Sequence, residues 1–367
     1  MRNWFTHGMK RFYVIATTTF KYYIKERPSP SAVSGYHGRR RVRYRGQGDD
    51  LRIIQHEIEW IERFRKHDPY HFAPKLLDVS IEFGNAYYDT QYYPYPSFAM
   101  ILRRNMNASF FVRLRWNLLL KGLSETLYST RNSLDVPDKY LDEEVFGPLQ
   151  QLLKEVVPDS AVGKVLFAPV LRVNSESMLG IVPLIERLMD FPEFRERLLP
   201  NSLHAVHGRM SLENILCGIR AQRMVLLHGG GCPKGIYGDV AKDIGRLYHE
   251  LHGNLVHLQD RQYSLILMLV EQEPPEISFE MLNTRLRDRL VDNYVMVREA
   301  AETWVQPDHG NVLYRAGFYE AIEPLFDMQR KDMRRSEQLM LVVTAVLRLN
   351  QWMQQYHADL YEQLEVE

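Results

Sequence analysis

The chain has 367 residues, enough for one large domain or two lobes, and its 45% hydrophobic and 25% charged residues are those of a soluble globular protein with a sizeable core. Its 46 basic residues balance 46 acidic ones, which argues against a general polyanion binder while leaving room for a local basic patch. Two cysteines, Cys217 and Cys232, exclude a disulfide framework and zinc-knuckle spacing, and no apolar run reaches membrane-spanning length, so a reducing, cytoplasmic setting without a membrane is expected.

The first 25 residues contain no acid and carry Arg2, Lys10, Arg11, Lys21 and Lys25. An organelle presequence has this composition, but a basic first strand pair is the favoured reading. Over 10–26, Phe20, Tyr22 and Ile24 alternate with Lys21, Tyr23 and Lys25, the period of a strand. Residues 27–50 are rich in Pro, Ser, Gly and Arg and read as a loop. The basic run Arg39, Arg40, Arg41, Arg43 and Arg45, interleaved with Tyr36 and Tyr44, has the look of a nucleic-acid arm. A solvated insertion or a docking loop for a protein partner is preferred. Residues 50–66 form an amphipathic helix with Ile53, Ile54, Ile58, Ile61 and Phe64 on one face.

Residues 76–101 read as three strands, the second running into Gln91, Tyr92 and Tyr93. Helical periodicity then dominates at 110–128, 141–157 and 182–199, with a break at Phe191-Pro192. Residues 158–180 are mixed. The apolar run 261–270 fits either a strand or a buried helix, and Pro274-Pro275 ends it. Three further helices are expected at 279–305, 316–333 and 337–356.

The most informative stretch is 204–251. His207-Gly208 opens a loop, and Asn214 follows seven residues after the histidine. Ile215-Leu216-Cys217 and the apolar run 224–227 predict a hairpin. Glycines 229–231 follow it. Asp239 stands where a helix N-cap belongs, ahead of Val240, Ile244, Leu247 and Leu251 on one helix face, and Gly253 can end that helix.

These pieces, HGRMSLEN, LHGGG and GDVAKDIG, resemble the catalytic centre of the aminoglycoside phosphotransferase and choline-kinase-like families, most of all the phosphotransferase domains near capsule-sugar enzymes. There the corresponding segments read HGDxxxxN, IDPRG and GDxxYDLA. The spacing is kept, and His207, Asn214, Asp239 and Asp243 match. The family's catalytic Asp falls on Arg209, and its metal-binding Asp falls on His228. The resemblance implies an α+β, bilobal, protein-kinase-like fold: a small β-rich lobe over 1–101, with the basic loop 27–50, and a mostly helical lobe over 102–367 holding the 204–251 centre. It also implies a nucleotide pocket in which Lys25 pairs with phosphates and with a helix glutamate, Glu57 being preferred to Glu59. The backbone of Gln91, Tyr92 and Tyr93 would take the adenine edge. A solvent-facing Lys25 and a surface Glu57 are the plain alternatives. The upstream phosphate-covering glycine loop is reduced to Gly8.

Phosphoryl transfer on this fold needs a carboxylate to take the hydroxyl proton and oxygen ligands to hold Mg²⁺. A guanidinium accepts no proton, and imidazole is a poor ligand for magnesium. No metal site is therefore expected, Mg-ATP binding is not expected, and metal-free ATP is the one cofactor form left open. Glu213 is the nearest spare carboxylate, but at the wrong spacing. His249 and His252 are three apart, not the four of a metalloprotease helix. Arg209, His228, Lys25 and the 229–231 amides could hold an anion, or Arg209 could pair internally with Asp243 or Glu213, which is preferred. The expected function is a catalytically inactive kinase-like protein acting as a protein-binding, regulatory or structural scaffold. The alternatives are an active sugar-type phosphotransferase with substituted groups and a nucleic-acid-associated protein using Arg39 to Arg45.

Overall fold

In chain order, the computed structural model begins with strands β1 (Phe12–Ala16), β2 (Lys21–Glu26), β3 (Ala32–Gly35), β4 (His37–Gly38) and β5 (Arg41–Gln47). Helix α1 (Asp50–Arg65), strands β6 (Leu76–Glu82) and β7 (Asn85–Gln91), and helices α2 (Phe98–Arg104) and α3 (Ser109–Glu125) follow. Next come a π-helical turn at Asp142–Phe146, α4 (Gly147–Lys154), α5 (Ala161–Leu166), β8 (Val170–Val173), β9 (Glu176–Leu179), α6 (Ile181–Met189) and α7 (Pro192–Leu198). Short strands β10 (His204–Ala205), β11 (Ile215–Cys217), β12 (Met224–Leu226) and β13 (Tyr237–Gly238) lead into α8 (Val240–His252) and α9 (Leu255–Asp260). The chain ends with β14 (Tyr263–Met268), β15 (Glu276–Met281), α10 (Thr284–Trp304), α11 (Gln306–His309), α12 (Val312–Asp327), α13 (Arg335–Tyr356) and α14 (Ala358–Val366). The structure describes residues 12–16, 21–26, 32–35, 37–38, 41–47, 50–82, 85–106, 109–132, 135–218, 223–232, 235–253, 255–329 and 333–366; of 12–41, 47, 50, 308, 365 and 366 it describes the backbone alone.

These elements pack into two compact units. One comprises Met1–Arg131 with His204–Gly238, the other Asn132–Leu203 with Asp239–Glu367. This division by packing interleaves segments, whereas the lobe division expected from sequence cuts the chain once, after residue 101. The α+β class is as expected, with small sheets early in the chain and helices dominating later.

The first unit is built on the antiparallel sheet β4-β5-β7-β6 and on α1, with β1-β2-β3 as a separate sheet. Helix α1 forms because Ile54, Ile58, Ile61 and Phe64 recur at helical spacing and are all buried, as is Trp60. The expected loop at 27–50 is corrected: its described residues lie in β3, β4 and β5 and, at residue 50, at the start of α1, and β5 pairs with β7 from Arg41↔Gln91 to Gln47↔Asn85. The arginines occupy alternate positions of a strand. Tyr44, between them, is buried, and Arg43 pairs with fully buried Asp89 at 2.7 and 3.0 Å. Arg39 and Arg40 lie outside the described residues. The third expected strand of 76–101 is also corrected. Residues 98–104 are helical because the Ser97 side chain caps Met100 N–H and Asn105 closes the helix in the left-handed region.

The second unit has its core where α8, α12 and α13 pack, around Ile244, Leu247, Leu251, Ala316, Phe318, Leu341 and Val346. It also holds a four-stranded sheet, β14-β15-β8-β9. The apolar run 261–270 is thus a strand, and 279–305 divides into the end of β15 and α10.

Candidate functional site

Glu57 is the point on which the site converges. It lies on the buried stripe of α1, three residues after Ile54 and four before Ile61, and is fully buried. Tyr88, on β7, donates its hydroxyl to Glu57 Oε2 at 2.5 Å. Arg209 donates from Nη1 to Oε1 at 3.1 Å. His228 brings Nδ1 to 3.4 Å from the same carboxylate. Tyr44, on β5, stacks on Tyr88 with ring centroids 4.8 Å apart and meets the edge of His228 at 5.0 Å. The two residues standing where the resemblance puts catalytic carboxylates are therefore both bonded to the glutamate of α1.

The loop that carries Arg209 is held from several sides. His207 is fully buried, and its Nε2–H donates to the Leu227 carbonyl at 3.0 Å while its Nδ1 accepts the Arg209 backbone N–H at 3.3 Å. That pattern fixes one neutral tautomer. Trp60 lies edge-on to His207 and donates from Nε1 to the Val206 carbonyl at 3.0 Å. Asn214 donates its side-chain amide to the Arg209 carbonyl at 2.9 Å, and its own carbonyl takes the Leu227 N–H. This bracing ties the loop to the β11–β12 hairpin, whose register runs Ile215↔Leu226 to Cys217↔Met224. Burial pushes the Cys217 thiol up to about 12, which makes it a packing residue. His228 itself sits in the left-handed region, φ 62°.

The glycines after His228 have a packing cause. A Cβ on Gly229 would lie 2.2 Å from the Trp60 ring, and Gly230, φ +79°, brings its backbone against the His56 carbonyl. Gly231 N–H donates to the His207 carbonyl. Close approach to α1 demands Gly229 and Gly230, a Cβ on Gly231 would meet Arg209 and Gly208, and the Gly231 amide is already committed within the fold. His56 is held below its ordinary pKa by burial first and then by Arg52, with Arg209 adding to the same direction.

Other expected site residues have partners of their own. Glu213, the spare carboxylate, pairs with Arg103 at 2.8 Å, and Arg209 pairs with Glu57. Gln91 N–H donates to the Lys75 carbonyl, and Tyr93 is buried with its hydroxyl taking Lys75 N–H at 2.7 Å; Tyr92 is half-buried. The backbone of Lys25 lies in β2, but its side chain, like Gly8, is outside the described residues, so the expected approach to Glu57 is too. In the second unit, Asp239 caps α8 through Ala241 N–H at 3.0 Å and takes a two-point bond from Arg315 at 2.9 and 3.0 Å. Asp243 is buried in the first turn of that helix. Tyr88 and Tyr44 carry the site without having been singled out; their signal was the period of two in β5 and β7, which points both to the α1 side.

The residues present do not fit the magnesium that the resemblance implies. An imidazole stands where the metal-binding carboxylate would be, the Arg209 guanidinium shares its glutamate, and Asn214 presents its amide N–H₂ to a carbonyl. Among the described residues no group of three or more His, Cys, Asp or Glu could hold a metal ion, and no helix is long and apolar enough to cross a membrane.

No protein-family profile matches the chain, and no curated protein matches it. Solved structures similar to it are aminoglycoside phosphotransferases. One is an aminoglycoside-3'-phosphotransferase of type VIII, 12% identical with a TM-score of 0.40, covering 92% of this chain and 93% of that one. Another is an aminoglycoside phosphotransferase from Streptomyces rimosus in complex with ADP and streptomycin, 14% identical with a TM-score of 0.37, covering 74% and 91%. A third is a spectinomycin phosphotransferase in complex with ADP and spectinomycin, 12% identical with a TM-score of 0.36, covering 92% and 93%. They belong to the family that the 204–251 motifs resemble; with overlaps this low, the likeness carries no argument about activity.

Proposed function

We propose that the chain is a non-catalytic relative of the kinase-like phosphotransferases that works by binding another protein, as a scaffold or regulator. The observation that carries this reading is the convergence of Arg209 and His228 on Glu57. A guanidinium at the base position cannot take the acceptor's proton, and its fixed positive charge repels a metal ion. The carboxylate that an active site would use to orient a lysine here anchors the loop. Nucleotide, if bound, would be metal-free ATP taken by Lys25 and the 91–93 backbone. An active sugar-type phosphotransferase would need Glu213 to leave Arg103 and reach the metal.

Restoring the carboxylates tests the reading. The double variant Arg209→Asp with His228→Asp puts two acids beside buried Glu57, so it is expected to melt lower than the unmodified protein in the absence of metal. It should then gain Mg²⁺-dependent ATP binding, measured as a rise in melting temperature with Mg-ATP. His228→Asp alone should gain less, since Arg209 remains to pair with the new carboxylate. A double variant that responds to Mg-ATP no more than the parent would show that these two residues are not what excludes the metal.

A further inference from the structure

We propose that β14 pairs antiparallel with β14 of a second copy, joining two four-stranded sheets across a two-fold axis at Ile266. Strand β14 has β15 on one side, in unbroken register from Tyr263↔Met281 to Met268↔Glu276, and among the described residues no strand on the other. Its outer row of backbone groups is a template for another strand, and folded proteins usually guard such an edge with a charge, a proline, a bulge or a cover.

Two other edges are guarded. At the far side of the same sheet, Asn350 caps β9, accepting Leu179 N–H at 3.0 Å and donating to the Leu179 carbonyl at 2.9 Å. Strand β6, an edge of the first unit's sheet, carries Asp78 and Glu82. Strand β14 runs beside β15 without a bulge. It is uncharged and free of proline and glycine, and Ile266 is 62% exposed, with Met268, Leu269 and Val270 exposed beside it.

Charge placement selects a copy of the same strand as the occupant. The uncharged run 262–270 has Ile266 at its centre, with Arg261 before it and Glu271 after it. Antiparallel pairing about Ile266 sets Leu265 opposite Leu267, Ser264 opposite Met268 and Tyr263 opposite Leu269. The same symmetry brings the Arg261 end of each strand to the Glu271 end of the other; both residues are exposed, and Arg261, paired at 3.2 Å with Glu337 of its own chain, keeps half of its side chain open to a second carboxylate. A one-residue slip would break this match and turn each side chain to the wrong face. A two-fold of this kind is isologous, so each contact occurs twice.

Sedimentation of the full chain should show a dimer at micromolar concentration, and Ile266→Lys should convert it to monomer with its circular dichroism unchanged. Cross-linking tests the register directly. Ile266→Cys should form a disulfide-linked dimer on mild oxidation, because residues on the axis face each other. Ser264→Cys and Met268→Cys should not link alone but should link when mixed. The native thiols, Cys217 and Cys232, are buried and supply little background. A parent protein that sediments as monomer at every concentration, a dimer that survives Ile266→Lys, or a dimer in which Ile266→Cys does not link would each overturn the proposal. A monomer would leave the edge to a strand from a different protein.

Discussion

A carboxylate with no solvent contact is stable only while its charge is met, and Glu57 is met by Tyr88, Arg209 and His228 together. Removing it leaves Arg209 and His228 without their anion, so Glu57→Ala should lower unfolding free energy by about 3 kcal/mol, the range for breaking a buried pair from one side. Arg209→Ala should cost less, because its side chain is 30% exposed and Tyr88 and His228 would still hold the carboxylate. Urea unfolding of the two variants measures the difference, and equal costs would refute the ordering. Much of this site was legible. The departures at Arg209 and His228 stand out against the retained His207, Asn214 and Asp239, and the helical phase of Ile54, Ile58 and Ile61 puts Glu57 inward and leaves Glu59 to pair with surface Arg63. That both substituted residues would turn to Glu57 was not legible. It depends on the close packing of α1 on the loop, which no local pattern encodes.

Strand β5 shows how composition can mislead at the level of an element. A run of Pro, Ser, Gly and Arg reads as loop, yet from Arg41 to Arg45 the arginines stand at every second position and alternate with Val42 and Tyr44. Period outweighed composition because Asp89 on the neighbouring strand supplies a buried partner for Arg43. Such a partner, 46 residues away, is invisible to a local reading. The consequence is testable: deleting 27–49 should unfold the first unit rather than trim a loop, since it removes Tyr44 from under Tyr88 and leaves Asp89 buried without Arg43. A deletion variant with the parent's melting temperature would return this segment to the surface. Elements with clear end signals were easier. Asp239 was legible as the cap of α8, and it caps it. Ser97 and Asn105 are equally clear end signals for α2, and they outweigh the strand-like apolar run between them.

For the whole molecule, the proposed non-catalytic role turns on the charges that hold the 204–231 loop to α1. Arg209, His228 and Glu57 satisfy one another, and no oxygen-rich face is left for magnesium among them. The second unit has its own buried ion network, in which Arg246 joins Glu323 and Asp327 and the Asp327 carboxyl is held below its usual range by Arg246 and His249 despite its burial. That network concerns the stability of the helical core and is separate from the question of catalysis. Titration of Mg-ATP into the unmodified protein, followed by heat, asks that question most directly. The account predicts no saturable binding that depends on magnesium. Saturable, magnesium-dependent binding that is lost in Asn214→Ala would contradict it, and would require Arg209 and His228 to release Glu57 when nucleotide arrives.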